Sequence, residues 1–271
     1  MAVYIEATFD PLVSHGREES LVRWFTSARS SFFGGPAQAE VSSEADVVSH
    51  VLVTQEIDGP SHRLMNLSDQ WSQFEEFLRG FPWWVDARYS EGDIELVGVR
   101  ARQLVTDGSI WQVSARLPMS RPDDPVQCGA MVEFLREALD VANPSFGRIE
   151  LNDFDDYTNL DAALRRRLRA SLRESREILR GYAWVTVCPP EILSQLGGVA
   201  ELESSRAFHR VVSLQSGGVL LQASETLADY TNAVMQQVFS TLAPVLPRGE
   251  PSLDPAHPHL RFVSQDAASV R

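Results

Sequence analysis

The first stretch with a clear pattern is Val3-Tyr4-Ile5-Glu6-Ala7-Thr8-Phe9, rich in β-favouring residues and stopped by Asp10-Pro11, which predicts a strand. From Glu18 the period lengthens. Leu21, Trp24, Phe25, Ala28 and Phe32 recur at spacings of three and four, so an amphipathic helix follows and Gly34-Gly35 ends it. Residues 36–46 are small and polar and read as a loop. β-Branched residues return over Val47 to Ile57, a second strand that Asp58-Gly59-Pro60 turns back. Ser68 is placed as the N-cap of a second helix, in which Trp71, Phe74, Phe77 and Leu78 share one face up to Arg79-Gly80. Three strand runs follow, around Trp83 to Tyr89, Ile94 to Val105 and Ile110 to Leu117, with Glu91-Gly92-Asp93 and Thr106-Asp107-Gly108-Ser109 as turns, which predicts a β-meander.

Beyond the charged, proline-containing stretch Met119 to Pro125, an apolar stripe of Met131, Phe134, Leu135 and Leu139 marks a helix. A further helix is predicted from about Leu160 to Leu179, carried by Leu160, Leu164, Leu168, Leu172 and Leu179 and stopped by Gly181. The last third reads as a strand over Ala183 to Val187, a short helix from Pro189, and a hairpin of Phe208 to Leu214 with Val219 to Ala223 around Gln215-Ser216-Gly217-Gly218. A final helix runs from Asp229 to Leu246 and stops at Pro247. The pattern describes an α+β protein in which antiparallel or mixed sheets carry amphipathic helices on one face. It divides into an N-terminal half (1–118) and a C-terminal half (125–246), separate or continuous. A proline-rich tail (247–271) follows, whose Leu260, Phe262 and Val263 are the residues able to dock on the body.

Composition narrows the chemistry. At 271 residues, 44% hydrophobic and 23% charged, the chain has the make-up of a globular protein with a self-sufficient core. All 24 basic residues are arginines, since the sequence contains no lysine. Pyridoxal-phosphate chemistry and a phosphate-loop ATPase both need a lysine and are excluded. A net charge of −13 disfavours nucleic acid and anionic membrane as partners and favours a basic one. Two cysteines, Cys128 and Cys188, and a start without the basic and apolar regions of a signal peptide predict a reducing, cytoplasmic setting and no disulfide. No apolar run approaches the roughly 20 residues that span a bilayer.

Several clusters are candidates for chemistry, each set against a plainer reading. Arg165, Arg166, Arg167, Arg169, Arg173, Arg176 and Arg180 crowd one predicted helix; Arg165, Arg166, Arg169 and Arg173 are the alternative anion site, because guanidinium binds oxyanions in a bidentate fashion. The plainer reading is a solvated face, neutralised by Glu150, Asp153, Asp155 and Asp156 just upstream. Those aspartates lack the glycine and distal glutamate of a calcium loop, and His257-Pro258-His259 stands in the proline-rich tail without anchored partners, so no metal or other cofactor is expected. Cys188, at a strand end, is read as a buried thiol before a nucleophile. No HExxH, GxSxG, GxGxxG or CxxC occurs, and no catalytic residue is assigned. The aromatic set Trp71, Phe74, Phe77, Phe81, Trp83 and Trp84 stands out more. Adjacent tryptophans on a strand face opposite sides, so one of Trp83 and Trp84 is a candidate partner-binding anchor, together with the carboxylates of Asp153, Asp155 and Asp156.

The C-terminal third carries a family resemblance. Gly181-Tyr182-Ala183-Trp184-Val185-Thr186, Pro190-Glu191-Ile192-Leu193, Leu196-Gly197-Gly198 and the hairpin Gly217-Gly218-Val219-Leu220-Leu221-Gln222-Ala223 are followed by a helix closing on Leu242-Ala243-Pro244-Val245-Leu246. This arrangement resembles the type VI immunity family of bacterial polymorphic-toxin immunity proteins, although Ser224 to Asp229 replaces the Gly-Asp turn of that pattern. The resemblance implies an α+β inhibitor that neutralises a cognate toxin by binding it and has no catalytic residues. Three readings follow: such an inhibitor with a basic toxin as partner; a motif-free enzyme acting on a phosphorylated or carboxylated small molecule; or a structural or assembly subunit.

Overall fold

The computed structural model describes residues 2–10, 16–33, 47–56, 60–66, 70–80, 84–91, 94–104, 110–151, 156–255 and 257–270. Its strands are β1 (Ala2–Phe9), β2 (Val47–Glu56), β3 (Pro60–Asn66), β4 (Trp84–Glu91), β5 (Ile94–Gln103), β6 (Trp111–Pro118), β7 (Phe146–Leu151), β8 (Val185–Cys188), β9 (Arg210–Ser213) and β10 (Val219–Gln222). Among the described residues these form one sheet in the order β3-β2-β4-β5-β6-β1-β7-β8-β10-β9. Every neighbouring pair is antiparallel. The helices are α1 (Arg17–Ala28), α2 (Trp71–Arg79), α3 (Pro125–Leu139), α4 (Asn159–Ala163), α5 (Leu168–Arg173), α6 (Pro190–Gln195), α7 (Val199–Ser204) and α8 (Asn232–Leu242), so the fold is α+β.

Strand periodicity decides where the core sits. Val3, Ile5, Ala7 and Phe9 of β1 stand opposite Leu117, Ala115, Val113 and Trp111 of β6, all buried on one face. Val99 and Ala101 of β5 and Val85 and Ala87 of β4 extend this apolar surface outward. Helices α1, α2 and α3 cover it: Trp24 meets Phe134 edge-on at 4.8 Å, and Phe25 meets Phe74 at 5.3 Å. Helix α1 continues into a π-helical turn, Arg29–Phe33, that keeps Phe32 against Phe134. Asp124 caps α3 by accepting from Val126 N–H at 2.9 Å, with Pro125 in the first turn.

The predicted elements of the N-terminal half are present, with Gln70 at the N-terminal boundary of the second helix and no side-chain capping bond from it; Ser68 and the loop 36–46 lie outside the described residues. The sequence reading passed over three elements: β3, α7 and β7. Strand β7 carries charge at Arg148 and Glu150, yet pairs along β1 with Ile5 opposite Ile149 and Val3 opposite Leu151. β1 therefore joins strands from before and after the Met119 to Pro125 stretch in one sheet.

The single long helix expected over 160–179 is corrected to two short ones. Arg165 takes a left-handed φ of 52° just after α4, and α5 starts afresh at Leu168. In a straight helix Asp161 and Arg180 would stand about 28 Å apart. Here their carboxylate and guanidinium are 3.4 Å apart. The break folds the segment so that its polar residues converge on the polar side of the sheet, where Arg180 reaches Glu6. In the tail, Leu260 and Phe262 pack with Ala163, and Val263 N–H donates to Tyr182 Oη at 2.7 Å.

Candidate functional site

Opposite the apolar core, the alternate residues of the central strands make a polar face in aligned rows. One row crosses the sheet as Asp86, Arg100, Ser114, Glu6, Arg148 and Thr186, the next as Arg88, Gly98, Arg116, Tyr4 and Glu150. Trp84, Arg102, Gln112 and Thr8 form a third. This face has two parts that differ in burial.

Under β1 and β7 it is sealed. Glu6, Arg148, Arg180 and Asp161 are all 0% exposed. Glu6 accepts from Arg148 Nε at 2.9 Å and from Arg180 Nη1 at 3.0 Å, while Arg148 also pairs with Glu150. Burial works to lower the basicity of Arg148, but the carboxylates of Glu150 and Glu6 outweigh it and the guanidinium is held above its usual range. Ser171 donates to Asp161 at 2.7 Å, and Arg180 Nη2 reaches the Asp156 carbonyl at 2.7 Å. Arg176, likewise buried, binds Asp10 at 2.5 Å, Glu191 at 3.0 Å and the Asn143 carbonyl at 2.9 Å. Charges so enclosed and paired fix the packing of the 156–180 segment on the sheet; Glu6, Arg148, Arg180 and Asp161 present nothing to a ligand.

Over β4, β5 and β6 the same face is open. Tyr4, Asp86, Arg88, Gly98, Arg100, Ser114 and Arg116 line a hollow of about 280 Å3. The strands that build it alternate regularly: Trp84-Val85-Asp86-Ala87-Arg88, Gly98-Val99-Arg100-Ala101-Arg102 and Gln112-Val113-Ser114-Ala115-Arg116, small apolar residues inward and polar ones into the hollow. Asp86, nearly buried, holds Arg88 at 2.7 Å and Arg100 at 3.6 Å. Arg102 pairs with Asp156 and donates to Gln112 at 2.9 Å. The guanidiniums of Arg100 and Arg102 lie over the Trp84 ring, 5.1 and 5.7 Å from its centre. Arg88 and Arg116 are the exposed members of the set. Arginines fixed by carboxylates and an aromatic face lose little freedom on binding, which suits them to recognise an oxyanion.

Trp84 therefore lies half-buried on the polar face beside this hollow, and Asp156 is engaged with Arg102 at its margin. Trp83, Asp153 and Asp155 lie outside the described residues, as does Phe81. Phe74 is in the core, with Trp71 and Phe77 packed partly against it. Of the seven arginines between 165 and 180, Arg176 and Arg180 are internal structural groups, which corrects the solvated-face reading for these two. Arg166 folds back onto Asp161 and Glu174, each at 3.0 Å, while Arg165, Arg169 and Arg173 are exposed. Cys128 and Cys188 are buried free thiols, and burial pushes Cys188 up to about 12, far from the range of a nucleophilic thiolate. His257 and His259 stack edge-on at 5.8 Å, and no cluster of metal-binding side chains is found among the described residues.

No protein-family model matches the chain, and no curated protein matches it either. One solved structure does. It is a Pseudomonas aeruginosa T6SS protein, PA0821, similar over 93% of this chain and 76% of its own, with a TM-score of 0.57 and 13% sequence identity. At that identity the likeness concerns the fold. No described helix is long and apolar enough to cross a membrane.

The residues of the open hollow escaped the sequence reading, although the signal was present. Arg88, Arg100, Arg102 and Arg116 each stand between small apolar residues or within an alternating run, so each strand places its arginine on the face away from the core. What a single strand does not carry is the register that brings Arg88, Arg100 and Arg116 side by side.

Proposed function

We propose that this chain is an immunity-type inhibitor of a type VI secretion context, acting by binding a cognate toxin rather than by catalysis. The observation that carries this reading is the open face of β4–β6. There Tyr4, Arg88, Arg100 and Arg116 line a concave surface, with Trp84 and Arg102 beside it, and aromatic residues and arginine are the types that dominate the energetics of protein interfaces. The fold it shares with a protein named for that secretion system supports the context. The C-terminal resemblance to type VI immunity proteins supports the same reading. The net charge of −13 favours a basic toxin, because the long-range field accelerates encounter with a positively charged protein.

The test is co-expression in a susceptible host with toxins encoded beside the gene. The wild-type chain should restore growth and bind its toxin with a rate that falls as salt rises. A Trp84→Ala/Arg116→Ala variant that retains the wild-type circular dichroism spectrum should lose the rescue. Failure to rescue from every such toxin overturns the reading. Turnover of a phosphorylated or carboxylated small molecule, abolished by the same two substitutions, would replace it with the enzyme reading.

A further inference from the structure

We infer that the small cavity between β7, α4, Tyr182 and the segment before α8 is a site for one ordered water, which bridges Asn159 Oδ1 and Tyr230 Oη. The site is separate from the open hollow over β4–β6 and stands whether or not the chain is an inhibitor.

Space supplies the first argument. The cavity measures about 20 Å3, with Glu150, Asn159, Tyr182, Tyr230 and Arg261 as its polar walls and Trp184 among the apolar ones. One water needs roughly 10–15 Å3 of such room, so the cavity takes a water and excludes any metabolite-sized ligand.

Unmet hydrogen bonds supply the second. Asn159 and Tyr230 are each 6% exposed, and among the described residues neither Asn159 Oδ1 nor Tyr230 Oη finds a protein partner. Two such atoms on the wall of one cavity are the pattern that a buried water satisfies. Their chemistry is complementary. An amide oxygen only accepts, whereas burial, with Tyr182 and Glu150 nearby, holds Tyr230 well above its usual value, so that hydroxyl stays protonated and donates. A water gives a proton to the first and accepts one from the second. Tyr182 accepts from Val263 N–H at 2.7 Å and keeps its own hydroxyl proton beside the same space.

Charge selects a neutral occupant. Arg261 on the wall disfavours a cation, and Glu150, paired with Arg148, disfavours an anion. The walls are also held in place from outside the cavity. Thr158 accepts from Asp161 N–H at 2.9 Å and donates to the Arg180 carbonyl at 2.9 Å, which fixes Asn159 in the first turn of α4. Arg261 donates to the Tyr230 carbonyl at 2.6 Å and lies over its ring, 5.2 Å from the centre. The water therefore ties α4 to a segment distant in sequence that the tail already grips.

A high-resolution crystal structure of the full chain tests the site directly. One density peak should stand roughly 2.7–3.2 Å from both Asn159 Oδ1 and Tyr230 Oη. Urea denaturation gives a second readout, because removing either side chain's polar group disconnects the same water. Tyr230→Phe and Asn159→Leu should each raise the unfolding equilibrium constant roughly fivefold to tenfold, the effect of one hydrogen bond, and the double variant should add little to the larger of the two. An empty cavity or a direct bond between the two side chains overturns the inference. A peak ringed by five or more oxygens at about 2.4 Å marks a metal cation and overturns it as well. So does strict multiplication of the two single effects in the double variant. Where a variant does not fold, the wild-type crystal structure alone decides.

Discussion

Replacing Glu6 by glutamine tests whether the sealed ion network holds the two sides of the molecule together. Its carboxylate is fully buried, accepts from Arg148 Nε at 2.9 Å and from Arg180 Nη1 at 3.0 Å, and lies 2.7 Å from Arg148 Nη2 as an ion pair. A glutamine amide of the same shape presents its carbonyl to only one of these guanidiniums and turns an N–H2 group toward the other. Arg148 then keeps Glu150, and Arg180 keeps Asp161 at 3.4 Å, so two buried cations share less negative charge than before. Removing one partner of a buried ion pair costs about 3–5 kcal/mol, because the remaining charge is left without compensation in a poorly solvating interior. The retained partners bring the expectation to the lower end, about 3 kcal/mol, which for a chain of this size corresponds to a melting shift of roughly 6–12 °C. Urea denaturation followed by tryptophan fluorescence gives the free energy directly. The double variant Glu6→Gln/Arg180→Gln should be less destabilised than the sum of the two single changes, with a coupling of at least about 1 kcal/mol. A loss below about 1 kcal/mol for Glu6→Gln, or strict additivity in the cycle, refutes the reasoning and returns the network to a passive role.

Gly218→Ala should destabilise by about 1–3 kcal/mol in the same denaturation assay, since a Cβ there would stand 2.7 Å from the Cys188 carbonyl oxygen, a backbone atom that cannot step aside. Cys128 and Cys188 should resist Ellman's reagent at pH 8 until the chain unfolds, because burial raises both thiols; prompt reaction of two thiols in native buffer would contradict their placement. Burial holds Tyr182 up to about 12, above its usual value near 10, so the folded state keeps a proton that the unfolded chain releases. Its contribution is complete below about pH 10 and declines between 10 and 12, so melting temperatures should fall over that window, and Tyr182→Phe should flatten the decline while freeing the Val263 N–H that the phenol accepts.

Much of the local structure was written in the residue pattern. The alternation of Val3 to Phe9 and of the three meander runs, the stripe of Leu21, Trp24, Phe25 and Ala28, and the Gly217-Gly218 turn each encode an element through contacts close in sequence, and all appear where the periods place them. Strand β7 is illegible because its charged residues look solvent-bound, and it is Glu6, distant in sequence, that makes the burial of Arg148 tolerable. The 160–179 helix failed for a related reason. Its leucine spacing satisfied the helical period, but the attraction between Asp161, Ser171 and Arg180 is gained only by breaking the helix at Arg165. The candidate site shows the division most plainly. Sequence alone determined that Arg88, Arg100, Arg102 and Arg116 point away from the core, since side chains on a strand alternate. Tertiary structure decided that they stand together over a glycine floor, because strand register is set by hydrogen bonds and packing between segments that the chain brings together only on folding.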